Sequence, residues 1–512
     1  MSVFSRFKSR HWLACLTLLS SLSSAAAQTV QVGAAPGDAE IAAINAHVSA
    51  AMRDLSIPGI ALGIVHGDRI IHLRGFGVAD ETARPVTPQT PFRIGSITKS
   101  FTALAVMQLV EAGKLELDAS VRRYLPWFRL ADEAASAQMS VRHLLNQTSG
   151  LSTPAGNAFW DSQDGLEANV RRLHTVMPSQ PVGTGFQYSN INYSIAGLLI
   201  EVASGQPFAD YIAQHIFGPL AMRHSHATVA AAQADGVALG HLYSIGRMVP
   251  DMGAAPPAYQ PAGFLSASAE DMAHYAIAQL NGGRYGEQRI LSEQGITQMH
   301  YAAVPLGALQ SATPNTHYGM GWVIGPTNDV PTVWHNGDTG RFHATLILAP
   351  ERGLGIVLLA NASGLEHLVA VDETARGVLS LLTGRSPAAS PSNRIVFRFV
   401  YWVLLLFPVL LLVGIARGWQ RWRRGDFDPR FDQVRGQRKR VRRILWMVIP
   451  NLAAALFFMF AMPQLTGLPL SGFRILYPDL GAAWMAVMII GIGWSVIYTV
   501  LVARSPRGRP TP

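Results

Sequence analysis

Cysteine is all but missing. Cys15 is the only one in 512 residues and lies near the N-terminus, which excludes a disulfide framework and thiol chemistry in the rest of the chain. Charge is scarce as well. Charged residues make up 14% of the chain and apolar residues 49%, a balance that leans towards a membrane protein. Several chemical signatures are also absent: there is no Gly-x-Ser-x-Gly elbow, no His-Glu-x-x-His pair and no Walker A loop. His224 and His226 have a metal-like spacing, but the sequence puts no carboxylate or third ligand beside them, so no metal site is expected.

What charge there is falls in a pattern. Arg6, Lys8 and Arg10 precede an apolar run from Trp12 to Leu22, and Ala25-Ala26-Ala27 follows with small residues. This reads as a signal peptide over residues 1–27, with an uncleaved anchor as the rival. Near the other end are three apolar spans, 395–416, 444–462 and 482–503, each close to the ~20 residues that cross a bilayer. Arginine-rich segments, 417–443 and 504–512, flank them, and the positive-inside rule makes both cytoplasmic. The loop at 463–481 carries only Arg474 and is expected outside. Topology therefore accounts for much of the net charge of +9, and nucleic acid is not expected as a partner. Residues 386–394, rich in Ser and Pro, link the spans to a domain over residues 28–385.

That domain is organised around Gly95-Ser96-Ile97-Thr98-Lys99. Phe101 to Val110 is apolar nearly all round and closes at Gly113, so it predicts a buried central helix with Ser96 in its first turn. Lys99 follows three residues later, on the same face and about 5–6 Å away by Cβ. A serine hydroxyl needs a base beside it, and a desolvated lysine can lose its proton to serve as one. Ser-x-x-Lys alone says little, since Ser5-Arg6-Phe7-Lys8 matches it too.

Two later stretches add to it. Tyr188-Ser189-Asn190 follows a breaker-rich run and precedes a helix expected over Ile195–Ser204. A phenol can relay a proton if nearby cations lower its pKa, and Asn190 offers a donor and an acceptor to a substrate amide. Thr332 to Gly340 begins as a strand and contains His335, Gly337 and Asp338. Gly337 would admit a close approach of substrate, the Asp338 N–H could join that of Ser96 as an oxyanion hole, and His335 adds a polar group able to become cationic. Arg341 could meet a substrate carboxylate or serve as a structural charge at a strand start. A hairpin around His66-Gly67-Asp68-Arg69 and a meander over residues 332–360 predict an antiparallel sheet packed on helices.

Ser96-x-x-Lys99, Tyr188-x-Asn190 and His335-x-Gly337, in this order, resemble the three motifs of the serine β-lactamase and penicillin-recognising hydrolase superfamily. The resemblance covers roughly residues 40–385 and is nearest the branch of class C β-lactamases, D-Ala-D-Ala carboxypeptidases, D-aminopeptidases and esterases. His143 to Leu151 and Pro261 to Ser268 fit that branch too. The resemblance implies an α+β fold with helices on both faces of the sheet and a helical insertion. It also implies an acyl-enzyme on Ser96, proton transfer by Lys99 and Tyr188, substrate binding by Asn190 and the third motif, and no cofactor. Class C β-lactamases normally carry Lys-Thr-Gly where this chain has His335-Asn336-Gly337, which counts against efficient β-lactam hydrolysis. The three-span tail resembles that of membrane-anchored peptidases that remove an N-acyl-D-amino-acid cap from peptide prodrugs. The expectation is thus an inner-membrane protein with an extracytoplasmic hydrolase domain, acting on amide or ester bonds of peptide-like or D-amino-acid substrates. The rival is a sensor acylated at Ser96 without turnover, although the short cytoplasmic segments hold no recognisable effector domain.

Overall fold

The computed structural model describes residues 36–160, 162–307, 313–387, 391–423, 433–466 and 470–504. The expected signal peptide with Cys15, residues 424–432 of the basic loop and residues 505–512 of the tail lie outside the described residues.

Helix α1 (Asp38–Asp54) leads into β1 (Gly59–His66) and β2 (Arg69–Gly77), the expected hairpin turning at Gly67-Asp68. The apolar run after Ser96 is α2 (Thr98–Glu111), buried on almost every side. A helical region follows, whose longest member, α3 (Asn190–Ser204), packs against α2. After α4 (Ala269–Leu280), the chain adds β3 (Val304–Pro305), β4 (His317–Tyr318), β5 (Val323–Thr327), β6 (Val330–Asp338), β7 (His343–Ala349) and β8 (Leu354–Ala360). Helix α5 (His367–Leu382) ends the domain. The sheet runs β2-β1-β8-β7-β6-β5-β4-β3 and is antiparallel throughout.

Both faces of this sheet are covered, which is why β7 and β8 are buried along their whole length. Successive strand side chains point to opposite faces. Leu62, Ile64, Ile356 and Leu358 therefore meet Ile44 and Val48 of α1 and Val371, Ala375 and Val378 of α5. Their neighbours Ala61, Val65, Val357 and Leu359 join Met272 and Ala276 of α4 and the helical region on the other face. Each fully buried aliphatic side chain here contributes about 1.5–3 kcal/mol. The sheet thereby becomes a rigid support for whatever β6 presents.

Three helices form the C-terminal part: α6 (Pro391–Arg423), α7 (Gln433–Leu456) and α8 (Pro478–Arg504). Two of the three expected spans are long and apolar enough to cross a membrane, Ile395–Gln420 and Pro478–Val500. The middle one is reduced to a shorter apolar stretch, Val448–Ala461. The first half of α7 is rich in arginine, which shortens its apolar part, and the helix continues through a π turn at Phe457–Ala461. Helix α8 packs between α6 and α7.

The ends of these helices nearest the domain are held to it by polar contacts. Arg398 pairs with Glu366 at 2.8 Å, and the Tyr401 hydroxyl accepts from the Ile245 N–H at 2.8 Å and donates to Asp479. The opposite ends carry the basic residues of the sequence: Arg417 to Arg423 in α6, Arg435 to Arg443 in α7 and Arg504 in α8.

Candidate active site

Ser96 does not sit in the first turn of α2. It occupies a short 3-10 turn, Gly95–Ile97, immediately before the helix. Gly95 permits this turn with φ +52°, and a Cβ added there would lie 2.5 Å from the Asp338 backbone nitrogen. A Cβ on Gly337 would lie 1.9 Å from the Ile94 carbonyl oxygen and 2.7 Å from the Ser96 nitrogen. The close approach that Gly337 permits is therefore that of the chain's own nucleophile turn, rather than of substrate as the sequence suggested. The same contact brings the backbone nitrogens of Ser96 and Asp338 onto neighbouring, touching segments.

Strand β6 is paired with β5 only as far as Trp334; from His335 to Asp338 it has β7 alone as ladder partner. The Ser96 turn lies against this stretch. An extended acyl group has one-sided backbone there to pair with.

The side chains around Ser96 form a closed set of contacts. Lys99 Nζ lies 2.9 Å from Ser96 Oγ, 2.8 Å from Asn190 Oδ1 and 2.7 Å from the Ala262 carbonyl oxygen. The Tyr188 hydroxyl is 2.7 Å from the same Oγ. Lys99 is fully buried, and burial holds its pKa well below the ordinary lysine value. Two of its three neighbours, the amide oxygen and the carbonyl, can only accept. A neutral amine donates its two hydrogens to them, and its lone pair is then left facing the Ser96 hydroxyl. That is the arrangement a general base needs.

Tyr188 is half-buried, and its pKa moves the opposite way from the sequence expectation. Burial raises it above the ordinary phenol value, and the Ser96 hydrogen bond offsets only part of the effect. No cation-stabilised phenolate results; the phenol stays protonated and is placed to hand a proton on. Its backbone carbonyl accepts from Thr153 Oγ1 at 2.5 Å, which fixes the loop.

Asn190 is the first residue of α3, so that helix begins five residues earlier than the sequence suggested. Its side chain does not cap the helix. The amide nitrogen donates to Asn157 Oδ1 at 2.8 Å, which orients the oxygen towards Lys99.

His335 is buried and neutral, not cationic. Burial lowers its pKa to about 4, and a proton on Lys99, whenever that amine carries one, pushes it the same way. Nδ1 lies 2.5 Å from the Asn336 carbonyl oxygen, an acceptor, so Nδ1 carries the hydrogen and Nε2 accepts from the Tyr318 hydroxyl at 3.3 Å.

Arg341 takes the structural one of its two expected roles. It is buried, and Nη2 and Nε lie 2.5 and 2.8 Å from Asp251 Oδ2, while Nη1 donates to the Leu476 carbonyl at 3.1 Å. Its charge is already compensated, and burying a guanidinium demands that partner. Likewise, His224 and His226 both reach Asp235, at 3.0 and 2.8 Å. The sequence reading missed this carboxylate, yet among the described residues no group of three or more His, Cys, Asp or Glu could hold a metal.

The structure thus brings Ser96, Lys99, Tyr188 and Asn190 into one hydrogen-bonded cluster and lays His335, Gly337 and Asp338 along its edge. Arg341 serves a neighbouring ion pair. Sequence reasoning missed Asn157, Tyr318, the Ala262 carbonyl and the polar group behind β6. In that group His343 lies 2.9 Å from Asp372 Oδ1 and 3.4 Å from Asp338 Oδ2. Burial alone would lower the His343 pKa, but the Asp372 and Asp338 carboxylates outweigh it and raise it to about 9. Asn336, the middle residue of the third motif, donates to Asp372 at 2.6 Å, and Ser363 donates to Asp338. A lone Asn, Tyr or Ser in a loop carries no local signal of such partners.

The comparisons agree with this geometry. Residues 44–379 match the beta-lactamase family model. The chain is 31% identical to penicillin-binding protein 4 of Amycolatopsis lactamdurans over 320 residues, which is 60% of this chain and 81% of that one. It is 26% identical to protein flp of Staphylococcus aureus over 423 residues, 80% of each chain, a match that extends beyond the hydrolase domain. The octameric penicillin-binding protein homologue from Pyrococcus abyssi is similar in structure, with a TM-score of 0.59 and 28% identity over 68% of this chain and 78% of that one. The family match takes in the Ser96 turn, the Tyr188 loop and the His335–Asp338 strand together, and on that basis the chain belongs to the beta-lactamase family.

Proposed function

We propose that this protein is a membrane-anchored, extracytoplasmic serine hydrolase that cleaves amide or ester bonds of peptide-like or D-amino-acid substrates. The observation that carries the reading is the Lys99 amine, desolvated and with both acceptor neighbours satisfied, facing Ser96 Oγ. In acylation the Ser96 O–H proton passes to Lys99 Nζ as the Oγ–carbon bond forms. The N–H groups of Ser96 and Asp338 meet the negative oxygen. Tyr188 gives its proton to the leaving nitrogen or oxygen as that bond breaks, and recovers it from Lys99. Water then reverses the sequence and releases the acid. A neutral His335 in place of a lysine weighs against efficient β-lactam turnover.

The topology we propose has all three C-terminal helices crossing the membrane, with the basic segments in the cytoplasm. Support comes from their polarity: the ends of α6 and α8 that touch the domain are tied to Glu366 and Ile245, and the other ends carry arginine. The test is intact mass of the full-length chain in detergent after a fluorophosphonate probe and, separately, a penicillin. One adduct on the wild type that Ser96→Ala loses is the expected result. A folded protein that takes up neither reagent would overturn the reading. A penicillin adduct that persists, with no ester turnover, would make it a sensor.

A further inference from the structure

The segment between the second and third C-terminal helices does not hang free of the domain. It includes a short helix, Leu470–Leu476, whose last residue touches the chain just past β6. A Cβ on Gly340, two residues past Asp338, would be 3.0 Å from the Leu476 carbonyl oxygen and 3.0 Å from its side chain. The Leu476 carbonyl also accepts from Arg341. On its other side, Leu476 packs against a cluster of Trp160, Tyr259 and Phe264. In that cluster the Trp160 ring lies 4.8 Å from Tyr259 and 5.6 Å from Phe264.

Each aromatic is one step from the catalytic cluster. The Trp160 N–H donates to the carbonyl of Asn157, which holds Asn190. Phe264 precedes Leu265, whose carbonyl accepts from the Ile94 N–H beside the Ser96 turn. Tyr259 begins the turn that delivers the Ala262 carbonyl to Lys99. Leu476 therefore bridges the β6 side of the cleft to the Asn157 side. The neighbouring segment Met462–Thr466 packs against Thr153–Gly156, the residues that fix the Tyr188 loop. The Trp160 indole N–H, buried, has no partner among the described residues.

We propose that the extracytoplasmic loop of the C-terminal helices supplies one wall of the substrate cleft, in which Leu476, backed by the buried Trp160 and Phe264, selects an apolar acyl side group. The proposal rests on the hydrolase reading above and deepens it: the wall adjoins Asn190 and the open stretch of β6, the parts that hold the acyl portion. The tail then acts as a specificity element as well as an anchor.

The experiment uses full-length protein in detergent and p-nitrophenyl esters of N-acetyl-D-alanine, N-acetyl-D-leucine and N-acetyl-D-phenylalanine, which share one leaving group. Leu476→Ala removes apolar bulk from the wall and Leu476→Trp adds it. Leu476→Ala is expected to raise the phenylalanyl-to-alanyl ratio of kcat/KM about tenfold, and Leu476→Trp to lower it by about as much. Fluorophosphonate labelling of Ser96 is expected to stay within about twofold, since a small probe does not need the subsite. Ratios that stay constant, or that move the same way in both variants, would overturn the proposal. A wild type that never labels would instead overturn the hydrolase reading itself.

Discussion

Replacing Gly337 with alanine tests the coupling between β6 and the nucleophile turn. The new Cβ would lie 1.9 Å from the Ile94 carbonyl oxygen and 2.7 Å from the Ser96 nitrogen. Ordinary contact begins near 3.4 Å, so strand and turn must part by about 1.5 Å, and both neighbours are backbone with no rotamer to give. A misplacement of about 1 Å costs on the order of 10²-fold in rate, and loss of one oxyanion donor costs about 10²–10³-fold. The two losses share one cause, so Gly337→Ala is expected to lower kcat/KM for an activated ester by about 10²–10³-fold, or about 3–4 kcal/mol of barrier. Overpacking should remove a further ~1–3 kcal/mol of stability, read as a lower melting temperature. The control is Gly67→Ala in the β1–β2 turn. Its φ is +61° and nothing lies within 4 Å of the added carbon, so it should lose stability without losing rate. Steady-state hydrolysis and the rate of fluorophosphonate labelling, measured beside thermal melts, separate the two effects. Labelling of Gly337→Ala within about threefold of wild type would refute the reasoning, because a displaced Ser96 cannot keep its rate.

Three further outcomes follow from the charge states. Because burial lowers the Lys99 pKa, the amine becomes the dominant form below the ordinary lysine value of 10.5; kcat/KM should rise with pH and level off well before that, and a rise centred near 10.5 would contradict it. Tyr188→Phe keeps the ring and removes the relay, so acylation should fall by about 10²-fold or more while the melting temperature changes little; a variant with unaltered rate would assign the relay elsewhere. His343 has a folded pKa near 9, above the unfolded 6.5, so the stability it contributes is full below pH 6.5 and lost as pH rises through 9. The wild-type melting temperature should therefore drop across pH 6.5–9 more steeply than that of His343→Gln, and parallel curves would show that the Asp338–His343–Asp372 group carries no such linkage.

Much of the frame was legible in the chain. The hairpin at Gly67-Asp68, the buried helix after Ser96 and the β6–β8 meander each announce themselves within a dozen residues, through turn chemistry and periodicity. The helix starts at Asn190, five residues ahead of the expected Ile195; its first turn, Asn190-Ile191-Asn192-Tyr193-Ser194, alternates polar and apolar residues and lacks a side-chain cap, so the usual start signals are missing. Asp235 lies only nine residues from His226, but proximity in sequence did not reveal that one turn would close on it.

By itself the sequence determined the order of the three motifs, the apolar and basic segments of the tail, and the residue types able to acylate and transfer protons. Tertiary structure alone decided their states. Lys99 faces Ser96 as an amine because Asn190 and Ala262, 91 and 163 residues away, take its hydrogens where it is buried. His335 is neutral because the same burial disfavours its charged form, and Arg341 is spent because Asp251 arrives from 90 residues earlier. Gly337 proves to be a seat for the Ser96 turn, and Leu476 reaches Gly340 and the Trp160 cluster from the far end of the chain. The physical reason is one of range. Backbone pattern is set by neighbours a few residues apart, whereas protonation and pocket shape depend on which distant groups share a buried volume.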